Sequence, residues 1–170
     1  MNLKKNLVFL GMMGSGKSSI GLLISKKFNL KFIDVDSIIE NETKTTITNI
    51  FKDKGENYFR NLEEKITIKI LQTNNCVISL GGGAFLNNKI RKEILTNHLS
   101  FWLNWDESIL IKRIKNSKKR PLVYNSTDVQ IKDMIKKRSK KYRYAKFKIN
   151  CNNLTKTEMV KKIIKIYELN

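Results

Sequence analysis

Residues 11–18 read GMMGSGKS, which fits the pattern G-x-x-x-x-G-K-[ST] at every fixed position. Glycines let such a backbone curl so that successive amide groups point at a phosphate, and a helix that begins at Lys17 adds its positive end. In a loop of this kind the lysine reaches the β- and γ-phosphates, and the serine, here Ser18, binds Mg²⁺. The motif lies between an apolar run, residues 7–10, and an amphipathic stretch, residues 17–28. This context favours a nucleotide site over a structural glycine-rich turn.

Two aspartates, Asp34 and Asp36, stand two residues apart at the end of a predicted strand, residues 31–36. Alternate residues of a strand face the same side, and the carboxyl ends of strands are where open α/β sheets bind ligands. One carboxylate can hold magnesium through water while the other accepts a proton from an attacking hydroxyl. The alternative is that one of them only caps a helix at Ser37, which accounts for a single carboxylate.

Three glycines, residues 81–83, follow the apolar stretch Val77-Ile78-Ser79-Leu80 directly. Glycines at the carboxyl end of a strand let a ligand touch the backbone, whereas a tight turn without a ligand is the structural alternative. Farther back in the chain, Arg60 and Glu63 stand three apart on one helical face and can pair. Because only six of the 34 basic residues are arginine, we expect arginine where a planar fork matters, as in gripping a carboxylate. The candidates are Arg60, Arg91, Arg113, Arg120, Arg138 and Arg143.

The composition bounds the class of protein. A chain of 170 residues with 41% hydrophobic residues is long enough for one cored domain, and it holds no apolar run of the ~20 residues that cross a bilayer. The start of the chain lacks a signal-peptide pattern, so we expect a cytoplasmic protein. Cys76 and Cys151 are expected to be small buried hydrophobes, and His98 a residue at the entry to a strand.

The net charge of +19 invites a nucleic-acid interpretation. Lysine is spread along the whole chain, however, and the one local excess, residues 106–148, is not interleaved with aromatic residues in an RNA-binding pattern. A solvated surface that steers anionic ligands is therefore favoured, with no specific nucleic acid and no membrane as partners.

Hydrophobic periodicity predicts alternating strands and helices. The predicted strands are residues 7–10, 31–36, 76–80, 99–103 and 147–151; the predicted helices are residues 17–28, 46–54, 56–71, 87–95, 107–115 after Asp106 as cap, 128–144 and 155–169. Gly55 separates two of these helices, and residues 116–127, with the only proline, form a loop. This order predicts an α/β protein with a five-stranded parallel sheet in a three-layer α/β/α arrangement. We expect one domain over residues 1–170, with a mobile lid at about residues 116–127.

Taken together, the motifs resemble shikimate kinase, a family of the nucleoside-monophosphate-kinase-like group of P-loop proteins. The resemblance covers nearly the whole chain. Its carriers are GMMGSGKS at 11–18, DVD at 34–36, FKDKGENYFRNLEE at 51–64, SLGGGA at 79–84, RPLV at 120–123 and RSKKY at 138–142. The last segment lacks the proline of the family's usual R-x-P-L-Y.

The resemblance implies ATP- and Mg²⁺-dependent phosphorylation of the 3-hydroxyl of shikimate, on the route to chorismate and the aromatic amino acids, by a monomer. It implies three catalytic residues: Asp36 as the base, Lys17, and Arg120 as the lid arginine that swings onto the phosphates. Nucleotide contacts are implied for Gly14, Ser15, Gly16, Lys17, Ser18, Ser19, Arg113 and Arg120, with Arg113 against adenine. Magnesium contacts are implied for Ser18 and Asp34. Shikimate contacts are implied for Asp36, Arg60, Arg138, Gly81, Gly82 and Gly83, with Phe51 and Phe59 as apolar walls.

Three other functions remain open at this point. A gluconate-type sugar-acid kinase shares the loop, the sheet and the carboxylate clamp, although the three glycines and the FR-x₂-E segment argue against it. A nucleoside-monophosphate kinase needs a base pocket and more lid arginines than Arg113 and Arg120. A basic nucleic-acid-binding protein needs no catalytic lysine and predicts salt-sensitive binding.

Overall fold

The computed structural model describes residues 5–116 and 126–169, and its centre is a parallel sheet in the order β2-β3-β1-β4-β5. The strands are β1 (Leu7–Leu10), β2 (Lys31–Asp34), β3 (Cys76–Ser79), β4 (Leu99–Asn104) and β5 (Phe147–Asn150). Every residue of β1 and β3 is buried, as expected for central strands of a parallel sheet that is covered on both faces.

The helices form two groups. They are α1 (Lys17–Phe28), α2 (Val35–Thr43), α3 (Ile47–Leu71), α4 (Asn88–Asn97), α5 (Glu107–Lys115), α6 (Asp128–Tyr142) and α7 (Lys156–Glu168). Helix α1 packs on α7, whereas α3 packs on α4, and right-handed crossovers place these two pairs on opposite faces of the sheet. The predicted three-layer α/β/α fold with five parallel strands is confirmed. Within the two described ranges, no helix combines the length and the apolar character that a bilayer crossing needs.

The strand predicted for residues 31–36 is wrong at its end. Strand β2 stops at Asp34, and helix α2, which the sequence analysis missed, begins at Val35. The cause is local: the Asp34 carboxylate accepts a hydrogen bond from the Ser37 amide at 3.3 Å and thereby caps α2. Asp36 consequently lies in the first turn of a helix, and its predicted strand relation to Asp34 does not hold.

Other boundaries differ by small amounts. The break predicted at Gly55 is present, because this residue has φ 79° and ψ 171° and interrupts the helical run of α3. Asp106 occupies the N-cap position of α5, but its side chain makes no capping hydrogen bond. Helix α6 ends at Tyr142, before the predicted end at residue 144, and a short 3₁₀ helix, Ala84–Leu86, was not predicted. Residues 117–125, which hold Arg120 and most of the predicted lid, lie outside the described residues.

At the amino end of the sheet, Asn6 and His98 connect the loops. The Asn6 side chain donates to the carbonyl of Thr73 at 2.6 Å and accepts from the Cys76 amide at 3.0 Å. The backbone N–H of Asn6 donates to Nδ1 of His98. His98 directly precedes β4, as expected. Both Cys76 and Cys151 are buried free thiols.

His98 gives this end of the sheet a pH dependence. Burial lowers the pKa of His98 below its usual value of 6.5, and the opposing attraction of Glu93, 3.8 Å from Nε2, does not restore it. The unfolded chain therefore binds a proton at His98 more readily than the folded chain does. We expect the free energy of unfolding to be fully retained above pH ~6.5 and to decrease as the pH falls from there towards the lowered pKa.

Urea denaturation between pH 7.5 and 5.5 measures this effect. The His98→Gln variant keeps an acceptor but does not titrate, so its loss of stability over this interval should be smaller than that of the wild type. Equal losses in the two proteins would contradict the assignment to His98.

Candidate active site

The phosphate-binding loop, residues 11–18, joins β1 to α1 and curls around the lysine side chain. Its backbone needs glycine at three positions, because Gly11, Gly14 and Gly16 have φ values of 141°, 76° and 91°. The Lys17 ammonium donates to the carbonyl oxygens of Gly11 and Met12, both at 2.9 Å, and so lies inside the loop. Helix α1 has no side-chain cap and no acidic residue in its first turn, which keeps its positive end available to an anion.

A set of oxygen donors lies beside the start of α1. The Ser18 hydroxyl donates to the Asp34 carboxylate at 2.6 Å, and it lies 3.3 Å from the hydroxyl of Ser79, at the end of β3. Asp34 thus caps α2 with one carboxylate oxygen and accepts from the loop with the other, so the cap does not use up this carboxylate. Mg²⁺ prefers such oxygen ligands and is usually bound by one or two carboxylates together with substrate phosphates. The residues present fit that ion, and the described part of the chain holds no cluster of three or more His, Cys, Asp or Glu that would form a cage by itself.

The first glycine of the glycine turn, residues 81–83, packs against two carboxylates. A Cβ placed on Gly81 would lie 2.6 Å from Oδ1 of Asp36 and 2.6 Å from Oε1 of Glu63. Only a glycine therefore lets both carboxylates approach the end of β3. Asp36 belongs to α2 and Glu63 to α3, so acidic side chains of both helices contact this turn.

The next two glycines meet the arginines and the phosphate-binding loop. A Cβ on Gly82 would lie 3.2 Å from Nη1 of Arg138 and 3.5 Å from the amide nitrogen of Met13. A Cβ on Gly83 would collide with the guanidinium of Arg60. The two guanidinium groups therefore lie beside consecutive residues of one turn, next to the phosphate-binding loop.

Arg60 is held by carboxylates and by aromatic rings. It donates to Glu63 at 2.7 Å and to Glu56 at 3.0 and 3.1 Å. The rings of Phe51 and Phe59 pack with centroids 4.6 Å apart, and the Arg60 guanidinium carbon lies 5.9 and 5.2 Å from their respective centroids. The predicted apolar wall and the predicted arginine therefore form one continuous surface beside the glycine turn.

Glu63 is a site residue that the sequence analysis only paired with Arg60. It is 2% exposed, and burial raises its pKa despite the opposing attraction of Arg60. Asp36 raises this pKa further, whereas Arg138 lowers it. The surroundings of the glycine turn thus combine two carboxylates with two guanidinium groups.

A second cleft of about 450 Å³ opens on the other side of the phosphate-binding loop. Its lining includes Ser19, Arg113 and Trp105. The Arg113 guanidinium carbon lies 3.7 Å from the centre of the Trp105 ring, and the indole nitrogen donates to the carbonyl of Ser15 at 2.9 Å. A flat cationic group stacked on a ring suits a planar base. Arg113 is one of the residues predicted to contact the nucleotide. Trp105, which follows β4 directly, was not predicted.

The structure separates the five arginines that it describes. Arg60 and Arg138 lie at the glycine turn and Arg113 at the second cleft. Arg91 instead donates to the carbonyls of Phe85 and Leu86 and so supports the 3₁₀ helix. Arg143 is exposed after α6. Because Arg91 and Arg143 both lie away from the glycine turn and the second cleft, the scarcity of arginine does not by itself identify site residues.

Comparison with known proteins gives one consistent family. The family model described as shikimate kinase matches residues 13–168. The shikimate kinase of Thermodesulfovibrio yellowstonii is 38% identical over 165 residues, which cover 96% of this chain and 95% of the relative. That of Sulfurihydrogenibium sp. is 36% identical over 160 residues, covering 94% and 96%.

Solved structures agree with this result. Shikimate kinase from Acinetobacter baumannii, in complex with shikimate, has a TM-score of 0.93 at 27% identity and covers 98% of this chain and 94% of its own. The enzyme from Aquifex aeolicus has a TM-score of 0.85 at 32% identity, with 96% of both chains covered. A gluconokinase from Sinorhizobium meliloti, at 15% identity, a TM-score of 0.58 and coverage of 99% and 95%, shows a shared fold alone.

The packing at the glycine turn leads to a stability prediction. Alanine at position 81 must displace the Asp36 and Glu63 carboxylates, so Gly81→Ala should lower the free energy of unfolding by about 1–3 kcal/mol through overpacking. Gly82→Ala meets its nearest atom at 3.2 Å and should cost less. Urea denaturation of both variants at one pH measures the difference, and a larger loss for Gly82→Ala would contradict this packing.

Proposed function

This chain belongs to the shikimate kinase family, and we propose that the cavity around the glycine turn is where it transfers the γ-phosphoryl group of ATP to the 3-hydroxyl of shikimate. One observation carries the proposal: consecutive glycines bring Asp36, Arg60, Arg138 and the phosphate-binding loop to a single place. A proton acceptor, two carboxylate-binding groups and a phosphate cradle are the parts that phosphorylation of a hydroxy acid requires.

Shikimate recognition follows from shape and charge. The guanidinium forks of Arg60 and Arg138 bind the carboxylate of the substrate, because a planar fork matches a carboxylate with two parallel hydrogen bonds. Phe51 and Phe59 provide the apolar wall for the ring, and backbone groups of the glycine turn contact its hydroxyls. Glu63 keeps Arg60 directed into the cavity through their 2.7 Å ion pair.

Phosphoryl transfer needs positioning and positive charge more than covalent chemistry by the protein. Asp36 orients the 3-hydroxyl and accepts its proton as the oxygen attacks the γ-phosphorus and the bond from phosphorus to the ADP oxygen breaks.

Lys17, the loop amides and Arg120 stabilise the charge on the transferred group. Ser18 and Asp34 would hold Mg²⁺, which would supply positive charge against the phosphates. Gly14, Ser15, Gly16 and Ser19 cradle the phosphates, and Arg113 with Trp105 binds the base.

The proposal also covers the domain, the state of assembly and the location of the protein. We assign residues 1–170 to one P-loop kinase domain with a lid at about residues 116–127, whose closure excludes water and prevents hydrolysis of ATP. We also propose that the chain acts as a monomer. A dependence on ATP and two thiols without a disulfide suit the cytoplasm.

An assay of ADP release with shikimate, gluconate and AMP side by side tests the function. The wild type should respond to shikimate alone among the three. Release with gluconate or AMP but not with shikimate would establish one of the rival kinases and overturn the proposal.

The role of Asp36 is tested in the same assay. Asp36→Asn removes the proton acceptor and should lower kcat by roughly 100-fold or more, with a small change in the KM for shikimate. Asp53→Asn, the same substitution at an exposed position of α3, is the matched control and should leave kcat unchanged. A kcat of Asp36→Asn within about threefold of the wild type would exclude Asp36 as the base.

The carboxylate clamp leads to a separate prediction. Arg138→Lys keeps the charge but removes the fork, so the KM for shikimate should rise roughly tenfold while the KM for ATP changes little. Arg143→Lys, five residues farther on and exposed, is the matched control. Equal effects of the two substitutions on the KM for shikimate would contradict the clamp.

A further inference from the structure

The last turn of α6 directs two side chains into the site. Arg138 and Tyr142 are four residues apart, which places them on one face of the helix, and both are buried, at 6% and 1% exposure. Lys140 and Lys141, between them, are exposed. Arg138 binds the substrate carboxylate in the proposed function, whereas the buried phenol of Tyr142 has no role in it.

The Tyr142 hydroxyl joins the clamp to the glycine turn. It donates a hydrogen bond to the carbonyl oxygen of Gly82, which can only accept. The Arg138 guanidinium lies close enough to lower the pKa of this phenol, and because a guanidinium has no acceptor, the phenol oxygen is the acceptor towards it. The same oxygen lies 3.8 Å from the sulfur of Met12 in the phosphate-binding loop. One atom therefore contacts three parts of the site.

The bond to Gly82 also orients the following amide. A trans peptide unit is planar, and its C=O and N–H groups point in opposite directions. Holding the Gly82 carbonyl towards Tyr142 therefore directs the Gly83 N–H away from Tyr142, within the same peptide plane. Gly83 is the residue against which the Arg60 guanidinium packs.

We propose that Tyr142 is a positioning residue for the acceptor substrate, because its hydroxyl sets both the direction of the Arg138 fork and the orientation of the Gly82–Gly83 peptide. This inference rests on the proposed function, since both of these groups are assigned above to shikimate binding. The tyrosine acts through them and makes no contact with the reacting atoms. Its loss should therefore weaken shikimate binding selectively and leave nucleotide binding intact.

The surroundings of the phenol agree with a fixed, neutral donor. Burial raises the pKa of Tyr142 to about 12, although Arg138 opposes this shift. The hydroxyl thus keeps its proton throughout the neutral range. The ring packs near Trp102, with centroids 6.0 Å apart, which restricts its motion. A positioning effect should accordingly be the same at pH 6.5 and pH 8.5.

Substitution by phenylalanine removes the hydroxyl and keeps the ring. For Tyr142→Phe we expect the KM for shikimate, and its Kd measured by calorimetry without nucleotide, to rise roughly tenfold, the effect of about one buried hydrogen bond. The KM for ATP should stay within twofold, and the ratio of variant to wild-type KM for shikimate should not change between pH 6.5 and 8.5. Tyr144→Phe, the same change at a side chain that is 58% exposed, is the matched control and should behave as the wild type.

Several outcomes overturn the role. Values of KM and Kd for shikimate within twofold of the wild type, equal rises in the KM for shikimate and for ATP, or the same rise in Tyr144→Phe would each exclude selective positioning. A ratio that changes with pH would indicate proton transfer by the phenol instead. Absence of shikimate-dependent ADP release in the wild type would overturn the proposed function itself and this role with it, so the two failures are distinguishable.

A second variant serves as a rescue and guards against misfolding. p-Aminophenylalanine at position 142 keeps a weaker donor on the same ring, so its KM for shikimate should lie between those of the wild type and Tyr142→Phe. Should Tyr142→Phe fail to fold, the aminophenylalanine variant alone carries the comparison. Equal rises in its KM for shikimate and its KM for ATP would then contradict the proposal.

Discussion

The absence of side chains at residues 81–83 is the constraint on which the site depends. Two carboxylates, two guanidinium groups and the phosphate-binding loop all approach this turn, at distances that a single Cβ would occupy. The turn follows β3, a wholly buried central strand, so the groups converge on a rigid position. Parallel strands end at one edge of the sheet, and this edge is where α/β folds bind ligands. In this protein the glycine turn determines which side chains lie together at that edge.

Electrostatics then determines what the cavity accepts. Buried Glu63 holds Arg60 and buried Tyr142 lies beside Arg138, so both arginines are oriented before a carboxylate arrives. Burial of Glu63 raises its pKa, which shows that the ion pair with Arg60 does not fully compensate for the loss of water around this carboxylate. Lys17 and the start of α1 add positive charge on the adjoining side. Two separate positive regions, one for a carboxylate and one for phosphates, suit an acidic substrate and a nucleotide that must meet.

Particular elements show how far the sequence could be interpreted. The fold class and the phosphate-binding loop were predicted correctly, because hydrophobic periodicity and the glycine-lysine spacing are local properties. The strand predicted for residues 31–36 was wrong because the capping bond of Asp34 begins a helix that its apolar pattern does not reveal. Trp105 and Ser79 were missed as site residues, since each carries no motif and each becomes important only at the end of a particular strand.

The sequence by itself determined the family, the five strands and the chemistry of the loop, since each depends on short motifs or local hydrophobic patterns. Only the tertiary structure decided that Tyr142 and Gly82, 60 residues apart, share a hydrogen bond, and that Glu63 lies between Asp36 and two arginines. The physical reason is that contacts between distant segments depend on strand order and on the packing of α2, α3 and α6 around one turn. No spacing in the sequence encodes those distances.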